Sequence, residues 1–243
     1  MTLVEEAHRI APQLAAAVAE GDEPRHLPDE VWALLQEGGF LRAHQPARWG
    51  CGEVSMHSSS YNPTGRAVQV DGGYRLSGRW SFSSGCHHCH GVNLGAIVGG
   101  RAAGPQNFRS FLLMADPYRV EDNWFTAGLK ATGSRDIVVD DAFVPEHRTQ
   151  AHMDYALGSP LPGQQINDGP LYRLASSVVF NTALATSVLG AAAGFIDMWV
   201  QENSTRRFQD LQGGLGHAFL LPDRLAKAVG GALLGTSKPE FVL

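Results

Sequence analysis

No run of lysine or arginine stands out in the sequence, and acidic residues outnumber basic ones, leaving a formal net charge of -5. Broad nucleic-acid binding needs a concentrated basic footprint, so no nucleic-acid partner is expected. Cysteine is scarce. Cys51, Cys86 and Cys89 make an odd number of thiols, which argues against a disulfide framework and fits a reducing cytoplasm. Residues Met1 to Ile10 lack the basic start and apolar core of a signal peptide. A Walker motif, a G-x-G-x-x-G between strand and helix, and a G-x-S-x-G elbow are all missing. Nothing therefore indicates the usual nucleotide folds or a serine hydrolase. Charge is also sparse, at 18% of residues, and Leu174 to Ile196 carries none. That stretch is long enough to span a bilayer. However, it is rich in Ala, Ser, Thr and Gly, includes Asn181, and has too little Leu, Ile, Phe and Val for strong insertion. The expectation is a helix buried among other helices, with no membrane partner.

What is present suits a globular protein with a real core: 243 residues, 44% of them hydrophobic. Leu3, Ala7, Ile10, Leu14 and Ala17/Val18 form one apolar stripe and predict a helix over 3–19, bent or split at Pro12. A second helix starts after Pro28, with Asp29 and Glu30 at its positive end, and stops at Gly38-Gly39. Residues 46–56 read as loop, and Ser58 to Gly65 as a strand end running into a turn. From there to about residue 150 the pattern is β. Asp71-Gly72-Gly73 supplies a hairpin turn. Strands are expected at Val92–Val98, Phe108–Met114 and Arg135–Val144. A long helix is expected from Leu171 to Asn203, and one more short helix over 223–234. Helices, then strands, then helices give an α+β fold: an N-terminal helical segment (1–52), a central antiparallel β domain (53–150) and a C-terminal helical region (151–243).

The stretch Arg79 to His90 concentrates the chemistry. Strict alternation would put Tyr74, Leu76, Gly78, Trp80 and Phe82 on one face, and Arg75, Ser77, Arg79, Ser81 and Ser83 on the other. Cys86-His87-His88-Cys89 has a C-x-x-C spacing that zinc accepts, but Cys51, His57, His147 and His152 form no matching second pair. No metal is expected; the bland reading is a polar turn with a partly buried thiol. The other reading is a wall for a flat cofactor. A flavin ring needs aromatic or backbone surface on its face and hydroxyls or amides at its polar edge. Trp80, Ser81, Phe82, Ser83 and Ser84 supply both, although aromatic/serine alternation is also common in half-buried strands.

The segment Leu76-Ser77-Gly78-Arg79-Trp80-Ser81-Phe82-Ser83-Ser84-Gly85 resembles the β-domain signature of two-component flavin-dependent monooxygenases with the acyl-CoA dehydrogenase fold. These are of the p-hydroxyphenylacetate and seco-steroid phenol hydroxylase type. Ser58 to Gly65, Trp124 to Asp136 and Val138 to Pro145 match in the same order, and Pro28 to Trp49 and Leu171 to Val200 also fit. The resemblance implies helical, β and helical domains, usually in a homotetramer. It implies a separate reductase supplying reduced FMN, with FAD as the alternative, and oxygen-dependent hydroxylation of a phenolic or polycyclic aromatic substrate. By analogy Ser83 would sit near flavin N5 as the catalytic hydroxyl, with Trp80, Ser81, Phe82 and Ser84 lining the cofactor.

Departures from the family accompany the matches. The chain passes from Arg48-Trp49-Gly50 almost directly to the first strand, where family members carry helices with an active-site histidine. After about Gln212 the match to the C-terminal bundle fades. The chain reads as internally shortened, with a preserved flavin wall and an incomplete pocket. An FAD-dependent acyl-CoA dehydrogenase-type enzyme and a non-catalytic remnant of the fold stay open as alternatives.

Overall fold

The computed structural model describes residues 2–17, 19–42, 55–156, 161–167 and 169–204. Most of the 46–56 loop, the Arg48-Trp49-Gly50 junction, the region after Gln212 and the helix expected at 223–234 lie outside them. The chain divides into two compact units, Met1–Ser177 and Val178–Leu243.

The first unit opens with helix α1, Leu3–Ala16. Thr2 and Glu5 cap its start reciprocally, each side chain accepting the other's backbone N–H. The helix runs unbroken through Pro12 and buries Ile10. Helix α2, Asp29–Glu37, follows Pro28 and ends at Gly38. Gly39 beyond it has a φ of 76°, in the left-handed region that glycine tolerates.

The β domain contains β1 (His57–Val70), β2 (Gly73–Ser83), β3 (Gly91–Val98), β4 (Phe108–Met114), β5 (Arg119–Glu121), β6 (Arg135–Pro145) and β7 (Thr149–Ala151). They form one seven-stranded sheet in the order β5-β6-β2-β1-β3-β4-β7. The sheet is mixed, which corrects the expected antiparallel domain: β1 and β3 pair in parallel. The hairpin places β2 against one side of β1, and β6 occupies the other side of β2. Strand β3 therefore returns beside β1, running in its direction. The second correction concerns Ser58 to Gly65, which is strand and not turn. Its pairing with β3 slips between Ser60 and Gly65, accommodating Pro63 and its missing N–H.

One face of this sheet is the core. Tyr74, Leu76 and Trp80 of β2 meet Val92, Leu94 and Ala96 of β3, Phe111 and Leu113 of β4, and Ile137, Val139 and Val144 of β6. The period of two in β3 is the strand periodicity that the sequence shows. A short helix α3, His152–Ala156, and 3-10 turns follow β7.

The long helix α4, Ser176–Ser204, begins later than Leu171 because Pro170–Arg173 forms a separate 3-10 turn. Phe180, Leu184, Val188, Phe195 and Met198 are exposed. At 3.6 residues per turn they share an arc of about 80°. Val178, Leu189 and Val200 are exposed on the opposite side. Ser176–Val200 is long and apolar enough to cross a membrane, and none of it is buried within the chain. The expected burial among other helices is thus absent among the described residues.

Candidate functional site

Strand β2 carries the site, and glycines on three strands seat its anchor. The Trp80 indole is fully buried and donates its Nε1–H to the Gly95 carbonyl at 2.7 Å. Its ring lies against Gly65, where a Cβ would overlap it, and close to Gly78. A buried aromatic of this kind contributes about 3–5 kcal/mol relative to alanine. Trp80 fixes where the strand sits, and the next residues depart from regular geometry.

Pairing between β2 and β6 slips between Trp80 and Ser83. At this bulge Phe82 takes a φ of 64°, left-handed for a residue with a side chain. The alternation is thereby inverted. Phe82 turns outward and is 69% exposed, and Ser83 turns inward and is fully buried. Strict alternation had placed them the other way round. Ser81 and Ser84 are exposed.

Strand β1 supports the bulge with hydroxyls. Backbone pairing of β1 with β2 covers only Arg66–Val70 and Gly73–Ser77, so later β2 carbonyls lack strand partners on that side. Ser60 donates to the Ser81 carbonyl and Thr64 to the Arg79 carbonyl, each at 2.6 Å. The Ser83 hydroxyl donates to Ser58 Oγ at 2.8 Å. These bonds satisfy backbone and side-chain groups that would otherwise be costly to bury.

A loop over residues 122–134 runs beside the exposed side of the bulge. Phe82 meets Trp124 edge-on, with ring centroids 5.9 Å apart. Trp124 Nε1–H and Thr132 Oγ1–H both donate to the Leu129 carbonyl, at 3.1 and 2.9 Å. Thr132, Ser134 and Ser84 form a hydroxyl chain with two 2.7 Å links. Arg25 lies 3.9 Å over the Phe125 ring and donates to the Trp124 carbonyl at 3.1 Å. A cavity of about 380 Å³ opens here, lined by His26, Leu27, Ser84, Gly85, His88, Ala131 and Thr132.

The Cys-His cluster leaves this site as a 3-10 turn, Cys86–His88, and docks the N-terminal segment. His87 stacks on His26 at 3.9 Å and His88 on Trp32 at 4.7 Å. His26 Nδ1 and His88 Nε2 both lie within hydrogen-bond distance of the Leu27 carbonyl, so each donates there. Burial pushes the Cys86 thiol up and the Cys89 thiol to about 11, so neither is thiolate at neutral pH. Among the described residues no group of three or more His, Cys, Asp or Glu side chains is placed to hold a metal ion.

No protein-family model matches the chain. It is 31% identical to the flavin-dependent monooxygenase oxygenase subunit HsaA of Rhodococcus jostii (strain RHA1), over 81% of this chain and 64% of that protein. The chain is a relative of the flavin-dependent monooxygenase oxygenase subunits. The FADH(2)-dependent resorcinol hydroxylase oxygenase component of Rhizobium sp. (strain MTP-10005) is 34% identical, over 76% of this chain and 45% of that one. Among solved structures, 3-HSA hydroxylase from Rhodococcus sp. RHA1 superposes with a TM-score of 0.84 at 26% identity, covering 95% of this chain and 72% of that one. The fold is thus that of the HsaA-type monooxygenases, α+β and acyl-CoA dehydrogenase-like. The chain spans less than two thirds of the length of the HsaA subunits it matches.

At this bulge aromatic surface and hydroxyls lie side by side. An exposed Phe82 ring, the Trp124 edge and the Ser84 oxygen suit a planar ring with a polar edge. Of the residues expected to line a cofactor, Phe82, Ser81 and Ser84 are exposed, while Trp80 and Ser83 lie beneath them. Sequence reasoning missed Ser58, Ser60, Thr64, Thr132 and Ser134 as supports. Their partners are 15 to 50 positions away for all but the Thr132–Ser134 pair, and a local pattern carries no such signal.

Proposed function

We propose that the chain provides the flavin wall of an oxygenase component that hydroxylates a phenolic or polycyclic aromatic substrate, using reduced flavin and dioxygen. One observation carries this reading: the bulge that turns Phe82 out and Ser83 in, next to an exposed hydroxyl at Ser84. Bulges re-aim side chains next to active sites, and a left-handed phenylalanine is held only where its surroundings over-determine it. Similarity to the HsaA and resorcinol hydroxylase oxygenase components supports the same reading.

In this reading Phe82 gives a face to the ring, and Ser81 and Ser84 stand at its polar edge. Ser84 takes the N5-side contact first assigned to Ser83. Ser83 and Trp80 are positioning residues, the first through Ser58 and the second through Gly95. The reduced flavin supplies oxygen activation when bound, and the protein's part is orientation and exclusion of water. Reduced FMN is the expected cofactor and FAD the alternative; the resorcinol hydroxylase relative is named for FADH(2). A separate flavin reductase and a homo-oligomeric, tetrameric assembly complete the proposal. The free thiols Cys86 and Cys89 fit a cytoplasmic setting. The parts serving it are 1–52, 53–150 and 151–243. An acyl-CoA dehydrogenase would need a carboxylate base, and no carboxylate lines the cavity among the described residues.

Anaerobic titration of the protein with reduced FMN tests the proposal, followed by mixing with oxygen and a panel of phenols. Saturable binding of reduced FMN and a product one oxygen atom heavier than its phenol are expected. Absence of any reduced-flavin binding would leave the chain a remnant of the fold.

A further inference from the structure

Residues 122–128 pass the site outside any strand. Asn123 Oδ1 anchors their start, accepting from the Asp136 N–H at 3.0 Å. Trp124 and Phe125 are neighbours in the chain with different destinations. The Trp124 ring meets Phe82, and the Phe125 ring, 73% exposed, lies under Arg25. Either aromatic could fill the place beside Phe82, so something must fix which one does. Arg25 makes three contacts with this stretch. Its Nη1–H donates to the Trp124 carbonyl at 3.1 Å, its Nη2–H donates to Asp122 Oδ2 at 2.5 Å, and its guanidinium lies 3.9 Å over the Phe125 ring. A planar fork with fixed donor directions can serve a carbonyl, a carboxylate and a ring together, and a lysine ammonium cannot. Arg25 is itself held. Arg135 donates to the Pro24 carbonyl at 3.2 Å, and a Cβ at Gly133 would lie 3.0 Å from the Arg25 carbonyl. Arg25 takes a φ of 57°, where glycine or asparagine would sit with less strain. A large side chain kept in that conformation points to the use made of it.

We infer that Arg25 is a positioning residue for the flavin wall, fixing the 122–128 stretch so that Trp124 and not Phe125 backs Phe82. The inference rests on the flavin-wall reading above. Phe82 projects its ring from a bulge, and an exposed ring there has few contacts to hold one rotamer. The Trp124 edge beside it narrows the choice. A wall set before its ligand arrives loses less conformational freedom on binding. Arg25 does not line the cavity and lies 99 positions from Trp124, so it acts on the site through the aromatic it places.

A double-mutant cycle on the affinity for reduced FMN, measured anaerobically, tests this. It compares the parent with Arg25→Asn, Arg25→Lys, Trp124→Leu and the double variant Arg25→Asn/Trp124→Leu, with melting curves to verify folding. Arg25→Asn suits the left-handed backbone, and Arg25→Lys keeps the charge beside Asp122. Both should weaken reduced-FMN binding about two- to tenfold, the size of a lost aromatic contact. In the Trp124→Leu background, Arg25→Asn should change affinity by less than about twofold, because the ring it positions is gone. Near-ultraviolet circular dichroism should show Arg25→Asn losing the band that Trp124→Leu removes. Asp22→Ala cuts the separate Lys130–Asp22 tie between the same two segments, and should leave affinity and band unchanged. A merely docking role gives a different pattern: Asp22→Ala and Arg25→Asn weaken binding alike, and the effect of Arg25→Asn persists without Trp124. That pattern, or an Arg25→Asn variant that matches the parent in affinity and dichroism, overturns the inference while leaving the flavin wall standing. A parent that binds no reduced FMN overturns both.

Discussion

Phe82 holds a left-handed conformation that costs a residue with a side chain about 1–2 kcal/mol. Glycine escapes that cost, although its unfolded chain is more flexible. Phe82→Gly should therefore leave thermal stability unchanged or raise it by up to about 1 kcal/mol. It should also weaken reduced-FMN binding about two- to tenfold, since a ring-to-ring contact is removed. A variant that melts lower and binds as well as the parent would show that the bulge serves packing alone. The residue types here were legible in the sequence: an aromatic and hydroxyls packed into Trp80 to Ser84. Their inside-outside order was not. Alternation assumes an even pleat, and the slip between Trp80 and Ser83 reverses it through contacts with β6, more than 50 positions away.

At the scale of elements, residues 22–32 are fastened to the β domain at several points. Asp122 accepts from Arg25 at 2.5 Å and from Arg135 at 2.9 Å, and these bonds hold its carboxyl below the usual range. Lys130 pairs with Asp22 at 3.2 Å. The aromatic contact is the pH-sensitive one. Burial first, then the neighbouring His26, His88 and Arg135, push the His87 imidazole below its ordinary value, with Asp29 opposing. A histidine with a lowered folded value binds its proton more readily when unfolded. Its contribution is complete above the ordinary histidine value of about 6.5 and declines as pH falls through that value toward the folded one. Relative to its intrinsic rate at each pH, hydrogen exchange at backbone amides over 22–37 should accelerate as pH falls from 7.5 to 5.5, and His87→Phe should suppress the change. Equal acceleration in β3 and β4 would instead indicate global loosening. Helix α2, the hairpin at Asp71-Gly72-Gly73 and β4 were all legible, because caps, turn residues and periodicity are local signals. The parallel pairing of β1 with β3 was not, because partner choice in a sheet depends on which edges other strands have taken.

At the scale of the whole molecule, α4 is left without cover among the described residues. A helix apolar on opposite sides with no buried residue in its Ser176–Val200 window needs cover. Its small residues suit close approach by another helix, and the homo-oligomer proposed above would supply one. Leu184→Glu with Val188→Glu should lower the association state seen by sedimentation at micromolar concentration, while leaving the β-domain melting transition in place. An unchanged association state would place the subunit contact elsewhere. The sequence showed this helix and its apolar character. Burial was the natural expectation, because an uncharged run of that length is normally covered.

The sheet's outer limits matter for the same question of association. Both outermost strands are three residues long, and β5 consists of Arg119, Val120 and Glu121. Each of these short strands offers few backbone groups of its own for a neighbouring chain to extend, and the charges on β5 discourage it further. A stray copy therefore finds little purchase for the open-ended, strand-by-strand growth that leads to fibres.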